Sequence, residues 1–167
     1  MRFHLEQRFS APPDVVARAY TEPGFYVLAG EMGKLGGADV LAREEGTDGT
    51  IRMAVRYAFT GHLSPAVTKV VDPARLTWVE HSTHDLARGV VDFRLVPDHY
   101  PDRLRSSGSY TFSAEGDGSL RLTEGVVSIR LPIVGPKVEE AIVSGLEEHL
   151  ACEVGAVERY LAERNGP

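Results

Sequence analysis

The sequence predicts an α+β fold in which a strongly bent antiparallel sheet of about seven strands wraps around a long C-terminal helix. Short runs of alternating apolar and polar residues recur through most of the chain, and such alternation is typical of strands buried on one face. The turns between the runs are too short for parallel crossovers, so neighbouring strands should be antiparallel. The final segment has helical periodicity and is the one large element available to cover the sheet.

The first strand is predicted over residues 2–9, where Phe3 and Leu5 alternate with polar side chains. Two short helices follow, over 14–20 and 25–32. Prolines stand near the start of each helix, where a missing backbone N–H costs little. A cluster of glycines then ends the helical pair.

The middle of the chain is predicted to form a meander of antiparallel strands. Turn-forming sequences such as Asp-Gly, Asp-Pro and Ser-Pro separate the candidate strands. These strands are expected at 38–45, 50–60, 66–71, 75–84, 89–96, 104–114 and 119–131.

One of these strands contains an irregular pattern. Leu120 and Leu122 share a parity, whereas Val127 has the opposite one. A one-residue shift in register moves every side chain to the other face of a sheet. Glu124-Gly125 lies at the change and has the composition of a β-bulge. We therefore expect a bulge, and a bend of the sheet, at this dipeptide.

The last segment is predicted to be a single long helix. Gly135 and Pro136 form a favourable helix start, and no strong breaker follows until Asn165. A helix of roughly 28 residues would be about 40 Å long, which is enough to cross a small domain.

Composition indicates an ordinary globular protein, with one domain over residues 1–167. The formal net charge is -6, from 18 Lys and Arg against 24 Asp and Glu. This balance disfavours binding to nucleic acids. No stretch approaches the roughly 18 apolar residues of a membrane span, so stable membrane insertion is not expected. The single cysteine, Cys152, cannot form an internal disulfide, and a cytoplasmic location is the default expectation.

Several sequence stretches resemble a known superfamily. The order of elements, residues 11–16 (APPDVV) and residues 131–135 (LPIVG) are similar to those of the START-like (SRPBCC, helix-grip, Bet v 1-like) superfamily. Residues 57–61 (YAFTG), 71–78 (VDPARLTW) and 96–100 (VPDHY) further resemble an uncharacterised bacterial family of unknown function. The resemblance implies a cavity between the sheet and the C-terminal helix. It does not assign an activity, because the superfamily includes carriers as well as polyketide cyclases.

Inward-facing positions of the strands and of the long helix are the candidate ligand-binding residues. Large apolar side chains at such positions could equally be core residues. A buried tyrosine hydroxyl needs a hydrogen-bond partner, however, and could orient a ligand. The candidates are Tyr57, Phe59, Trp78, Glu80, Phe93, Tyr110, Phe112, Ile142, His149 and Glu153.

Two of these candidates are polar residues within the apolar stripe of the long helix. His149 and Glu153 lie near 20° and 60° from Val138 at about 100° per residue, and they form an i, i+4 pair. Burial of such a pair would cost desolvation free energy unless cavity water or a ligand solvates it. Alternatively, the second half of the helix extends beyond the sheet, and both side chains then face solvent or a dimer contact.

The leading functional hypothesis is a non-catalytic carrier or sensor of a lipid-like or aromatic metabolite. A cyclase- or aromatase-type enzyme acting on a polyketide-like substrate is the first alternative. A protein-interaction module with a vestigial cavity is the second. No catalytic residue, cofactor or metal is assigned, because His81 and His84 should point to opposite faces of their strand and no third ligand is evident near His149 and Cys152. The sequence also allows a homodimer.

Overall fold

One antiparallel sheet of seven strands forms the framework of the protein in a computed structural model. The structure describes residues 1–32, 38–59, 65–69, 72–133 and 135–165. The strands are β1 (Arg2–Phe9), β2 (Ala38–Glu45), β3 (Ile51–Ala58), β4 (Thr77–Asp85), β5 (Val90–Pro97), β6 (Leu104–Glu115) and β7 (Gly118–Ile129).

The strand order is β1-β7-β6-β5-β4-β3-β2. Strands β2 to β7 therefore form the expected meander, and β1 pairs with β7 at the far edge. The bent sheet leaves one concave face to be covered by helices. This architecture confirms the fold class predicted from the sequence.

The first two helices and the last one cover the concave side of the sheet. The longest helix has 31 residues and would extend about 46 Å at 1.5 Å per residue. It contacts β1 and β7 as well as the two short helices that follow β1. The helices are α1 (Pro13–Ala19), α2 (Pro23–Met32), the single turn α3 (Pro65–Thr68) and α4 (Gly135–Asn165), with a 3-10 turn at Pro73–Arg75. None of the helices in the described part of the chain has both the length and the apolar character needed to cross a bilayer.

The strand predicted over residues 66–71 is wrong where the structure describes it. The helical turn α3 occupies Pro65–Thr68, and residues 70 and 71 lie outside the described residues. Pro65 stands at the first position of this turn, where proline suits a helix start. The alternating pattern was too short to distinguish a strand from a helical turn.

The bulge predicted at Glu124-Gly125 is also wrong. Strand β7 keeps a continuous register with both of its neighbours. The apolar pattern changes parity because polar residues occupy two of the inward-facing positions: Arg121 and Thr123 face the interior on the same side as Val127. A register shift occurs instead in β2, at the outer edge of the sheet.

A pair of glycines allows close packing between β6 and β7. Gly108 of β6 lies directly opposite Gly125 of β7. A Cβ atom on Gly108 would come within 2.1 Å of the carbonyl oxygen of Glu124, and one on Gly125 within 2.5 Å of the Phe3 ring. Side chains at these positions would force the strands and the adjoining rings apart.

The apolar core is concentrated where α1, α2 and the second half of α4 meet the sheet. Phe25 of α2 is fully buried, and its ring centroid lies 5.0 to 5.9 Å from those of Tyr20, Tyr26 and Tyr160. Val157 of α4 is fully buried as well. This packing anchors α4 near its C-terminus, while the first half of the helix lines an open space.

Candidate functional site

A cavity of about 810 Å³ lies between the concave face of the sheet and the first half of α4. Its volume is within the range typical of small-molecule sites. The wall is predominantly apolar and aromatic. All ten sequence-predicted residues lie in this wall: Tyr57, Phe59, Trp78, Glu80, Phe93, Tyr110, Phe112, Ile142, His149 and Glu153. Their placement is thus observed, and their role in binding stays a prediction.

Two stacked aromatic pairs form flat surfaces in the wall. Tyr57 and Trp78 are cross-strand neighbours on β3 and β4, with ring centroids 6.2 Å apart. Phe93 of β5 stacks on Tyr110 of β6, with centroids 4.6 Å apart and ring planes inclined by 11°. Room for the Phe93 ring comes from Gly108, whose Cβ would lie 2.8 Å from it. Such surfaces suit an aromatic or lipid-like molecule.

A buried ion pair joins β7 to α4 at the end of the cavity nearest α1. Nη1 of Arg121 donates to Oε2 of Glu153 across 2.7 Å, and the two side chains are 4% and 7% exposed. The Tyr20 hydroxyl donates to the same carboxylate oxygen at 2.9 Å. Arg121 also donates to Oε1 of Gln7 at 3.0 Å. These charge-assisted hydrogen bonds offset most of the cost of burying the two charged groups.

The Arg121 guanidinium is held between two aromatic rings. Its central carbon lies 4.2 Å from the ring centroid of Tyr20 and 4.0 Å from that of Tyr110. Such cation–π contacts are favourable when the cation is desolvated. Burial alone would raise the pKa of Glu153, but the neighbouring Arg121 and His149 bring it down to about 2.

His149 completes this polar cluster from the helix side. Its Nε2 atom lies 3.6 Å from Oε1 of Glu153, and its ring meets that of Tyr57 edge-on. Both His149 and Glu153 are buried and line the cavity. The alternative of an extended helix end that exposes them to solvent is therefore wrong.

A second carboxylate, Glu80, lies in the cavity wall without a cationic partner at hydrogen-bond distance among the described residues. It accepts a hydrogen bond of 3.0 Å from the Tyr110 hydroxyl. Burial raises the pKa of Glu80 to about 7, although the Tyr110 hydrogen bond and the more distant Arg121 act in the opposite direction. Glu80 is thus a titratable group near neutral pH inside the cavity.

One protein family matches nearly the whole chain. The family described as "Protein of unknown function (DUF2505)" matches residues 4–161. The chain belongs to the DUF2505 family. Among curated proteins, none is significantly similar to it in sequence.

Several solved structures share the fold of this DUF2505 protein over nearly its whole length. TTHA0849 from Thermus thermophilus is 19% identical, with a TM-score of 0.70 and coverage of 99% of this chain and 100% of the other. The Zhui aromatase/cyclase from a Streptomyces species is 16% identical, with a TM-score of 0.64 and coverage of 98% and 96%. A START superfamily protein from Mycobacterium smegmatis is 16% identical, with a TM-score of 0.61 and coverage of 95% and 98%. These similarities confirm the predicted START-like fold.

The sequence-based prediction missed several polar residues in or next to the cavity of this DUF2505 protein. Gln7 shares the parity of Phe3 and Leu5 on β1, so the alternating pattern could have placed it inside. Arg121 would have been found by continuing the parity of Val127 back along β7 without a bulge. The role of Tyr20 depends on a contact with α4 and has no comparable local signal.

The polar part of the wall is incompletely hydrogen-bonded. Among the described residues, four buried side-chain atoms have no partner within the protein, and all four belong to residues that line the cavity: His84 Nδ1, Arg121 Nε, Thr123 Oγ1 and His149 Nδ1. Buried polar groups are normally paired with protein or water. These atoms therefore leave hydrogen-bonding capacity beside the cavity.

Metal binding was not expected from the sequence. Within the part of the chain that the structure describes, no three His, Cys, Asp or Glu residues are arranged to hold a metal ion. The described side chains of this site offer apolar contact, hydrogen bonding and proton exchange at Glu80.

Proposed function

We propose that this DUF2505 protein binds an apolar small molecule, lipid-like or aromatic, in its cavity and acts as a carrier or sensor without transforming it. The observation that carries the proposal is the open volume of about 810 Å³ walled by stacked aromatic rings. Protein interiors are normally close-packed, and an unfilled space forfeits packing contacts. A bound apolar ligand would restore those contacts.

The solved relatives support this proposal through their fold. One is described as a START superfamily protein and another as an aromatase/cyclase. At 16% identity they share the architecture, so neither supplies a substrate for this chain. A cytoplasmic location, a single domain and a homodimer stay predictions of the sequence.

An enzymatic function is the second candidate, and one observation favours it. Glu80 has a pKa of about 7 and lies in the cavity beside Tyr110, so it could exchange a proton with a bound substrate. Glu153, by contrast, is held in its charged form by Arg121. We rank the carrier first because Arg121 and Glu153, which also line the interior of the cavity, are already paired with each other. The interaction module is not supported, since it required a vestigial cavity.

The proposal is tested by filling the cavity. Ala141 lines the cavity on α4, whereas Ala151 is exposed on the same helix. The substitution Ala141→Phe should weaken binding of the neutral fluorescent probe N-phenylnaphthylamine by about tenfold or more, because the new ring takes the place of the probe. The matched variant Ala151→Phe should bind the probe as the unsubstituted protein does.

Native mass spectrometry of the protein purified from its own host gives the complementary test. We expect a non-covalent adduct that is lost on denaturation and is absent from the Ala141→Phe protein. Equal probe binding by both phenylalanine variants would contradict the proposal. If Glu80→Gln protein retained a different compound from the unsubstituted protein, with a precursor–product mass relation, the enzyme would be favoured instead.

A further inference from the structure

Two arginines flank one tyrosine at the rim of the cavity. Tyr100 lies in the turn between β5 and β6, and the central guanidinium carbons of Arg75 and Arg103 lie 5.3 and 5.7 Å from its ring centroid. Nδ1 of His99 lies 3.4 Å from Nη2 of Arg75. All four residues line the cavity. The tyrosine ring thus holds two cationic groups close together at the rim.

The Tyr100 ring is itself fixed in place. It packs in a small apolar cluster around Val138 of α4, together with the partly buried residues Leu76 and Ile142. Its backbone takes a φ of 59°, which non-glycine residues adopt only where the surrounding structure imposes it. The ring that the two guanidinium groups flank is therefore positioned by the fold before any ligand arrives.

The two rim arginines carry charges for which the described residues provide no ion pair. In the described part of the chain, neither Arg75 nor Arg103 forms an ion pair. Asp98, in the same turn, is paired with Arg56 at 3.0 Å. Asp72 accepts a hydrogen bond from the Ala74 backbone at 3.0 Å. Although the formal net charge of the chain is -6, the described residues thus place two arginines without an ion pair at this rim.

The interior offers no comparable place for an anion among the described residues. Its cation, Arg121, already pairs with Glu153 at 2.7 Å. A second negative charge there would be desolvated and would be repelled by Glu153 and by ionised Glu80. A cationic ligand, conversely, would have to pass the two arginines at the rim. Charge therefore favours an anionic group that remains at the rim.

We propose that the rim of the cavity is an anion-binding site and that the ligand is an amphipathic anion. Its apolar body occupies the cavity, and its carboxylate, sulfate or phosphate group binds between Arg75 and Arg103. Guanidinium groups suit this role because they bind such oxyanions through paired, charge-assisted hydrogen bonds. This inference rests on the proposed function and specifies its ligand class.

Two probes with the same ring system separate the anion site from the apolar cavity. Anilinonaphthalene sulfonate carries a sulfonate group that neutral N-phenylnaphthylamine lacks. In the double variant Arg75→Gln/Arg103→Gln, we expect affinity for the sulfonate probe to fall by about tenfold or more at low salt, with affinity for the neutral probe unchanged. The control Arg88→Gln/Arg94→Gln removes two exposed arginines that do not line the cavity, and it should change neither affinity.

The outcomes distinguish this inference from the proposed function. The anion site would be overturned if the rim substitutions lowered the affinity for both probes equally, or did not lower the affinity for the sulfonate probe. The cavity proposal would still hold if the neutral probe bound and Ala141→Phe abolished its binding. Phosphatidylglycerol vesicles test the other source of anionic groups. If vesicles captured the Ala141→Phe protein, and the rim substitutions abolished that capture, the arginines would serve a membrane surface and the inference would be overturned.

Discussion

Arg121 and Glu153 connect the sheet to the long helix through a buried ion pair, with 2.7 Å between the guanidinium nitrogen and the carboxylate oxygen. Both side chains are almost fully buried, and Tyr20 and Gln7 add hydrogen bonds to them. The pair lies beside an open cavity, so it helps to keep α4 in position where tight apolar packing is incomplete.

Removal of one partner should therefore be costly. We expect Arg121→Met to lower the free energy of unfolding by about 3 to 5 kcal/mol, because it leaves the Glu153 carboxylate buried without its cation. Urea denaturation measures this change. The double variant Arg121→Met/Glu153→Leu should be less destabilised than the sum of the two single variants. Simple additivity would show that the two residues do not depend on each other.

Glu80 should give the stability a specific pH dependence. Its pKa is about 7 in the folded protein and 4.5 in an ordinary solvated carboxyl. Between these pH values the folded protein holds more protons than the unfolded chain, so the stability falls as the pH rises. Glu80→Gln removes this dependence. Relative to that variant, the free energy of unfolding of the unsubstituted protein should fall by about 1 to 3 kcal/mol as the pH rises across this interval.

Urea denaturation of both proteins at each end of that pH interval checks the expectation. The difference isolates Glu80, because the other titrating groups are shared. NMR titration of the Glu80 carboxyl carbon provides a direct reading of its pKa. In the Tyr110→Phe protein the pKa of Glu80 should be higher, since the hydroxyl that stabilises the charged carboxylate is lost. A Glu80 titration at the ordinary value would contradict this account of its environment.

The glycines of the sheet and of α4 should respond oppositely to alanine. Gly108→Ala would place a Cβ atom 2.1 Å from the Glu124 carbonyl oxygen, and we expect it to destabilise the protein severely. A Cβ atom on Gly155 would instead extend into open space, so Gly155→Ala should stabilise α4 by up to about 1 kcal/mol. Thermal unfolding compares the two. A tolerated Gly108→Ala would mean that β6 and β7 are less closely packed than this distance requires.

The sequence predicted the architecture well because most strands follow a strict period of two. Residues such as Tyr57 and Phe59 were placed by that alternation, and helical periodicity placed His149 and Glu153 on the face toward the sheet. These assignments needed only local geometry. The cavity itself came from the resemblance to a superfamily rather than from the pattern.

The polar side of the cavity was harder to predict. Apolar residues were taken to mark the inner face, but Arg121 and Thr123 occupy that face on β7 while Leu120 and Leu122 lie on the other. A charged residue can be buried there because a partner on a distant helix compensates it. The Tyr20–Glu153 contact spans 133 positions in sequence, and no local pattern reports such a partner.

The central claim, an internal apolar binding site, is tested most directly by intermolecular NOEs in methyl-labelled protein with bound N-phenylnaphthylamine. The methyl groups of Val91 and Ile142 line the cavity, whereas Val27 is 68% exposed on α2. We expect NOEs from the aromatic protons of the probe to Val91 and Ile142 and none to Val27. Contacts confined to exposed methyl groups such as those of Val27 would contradict the claim.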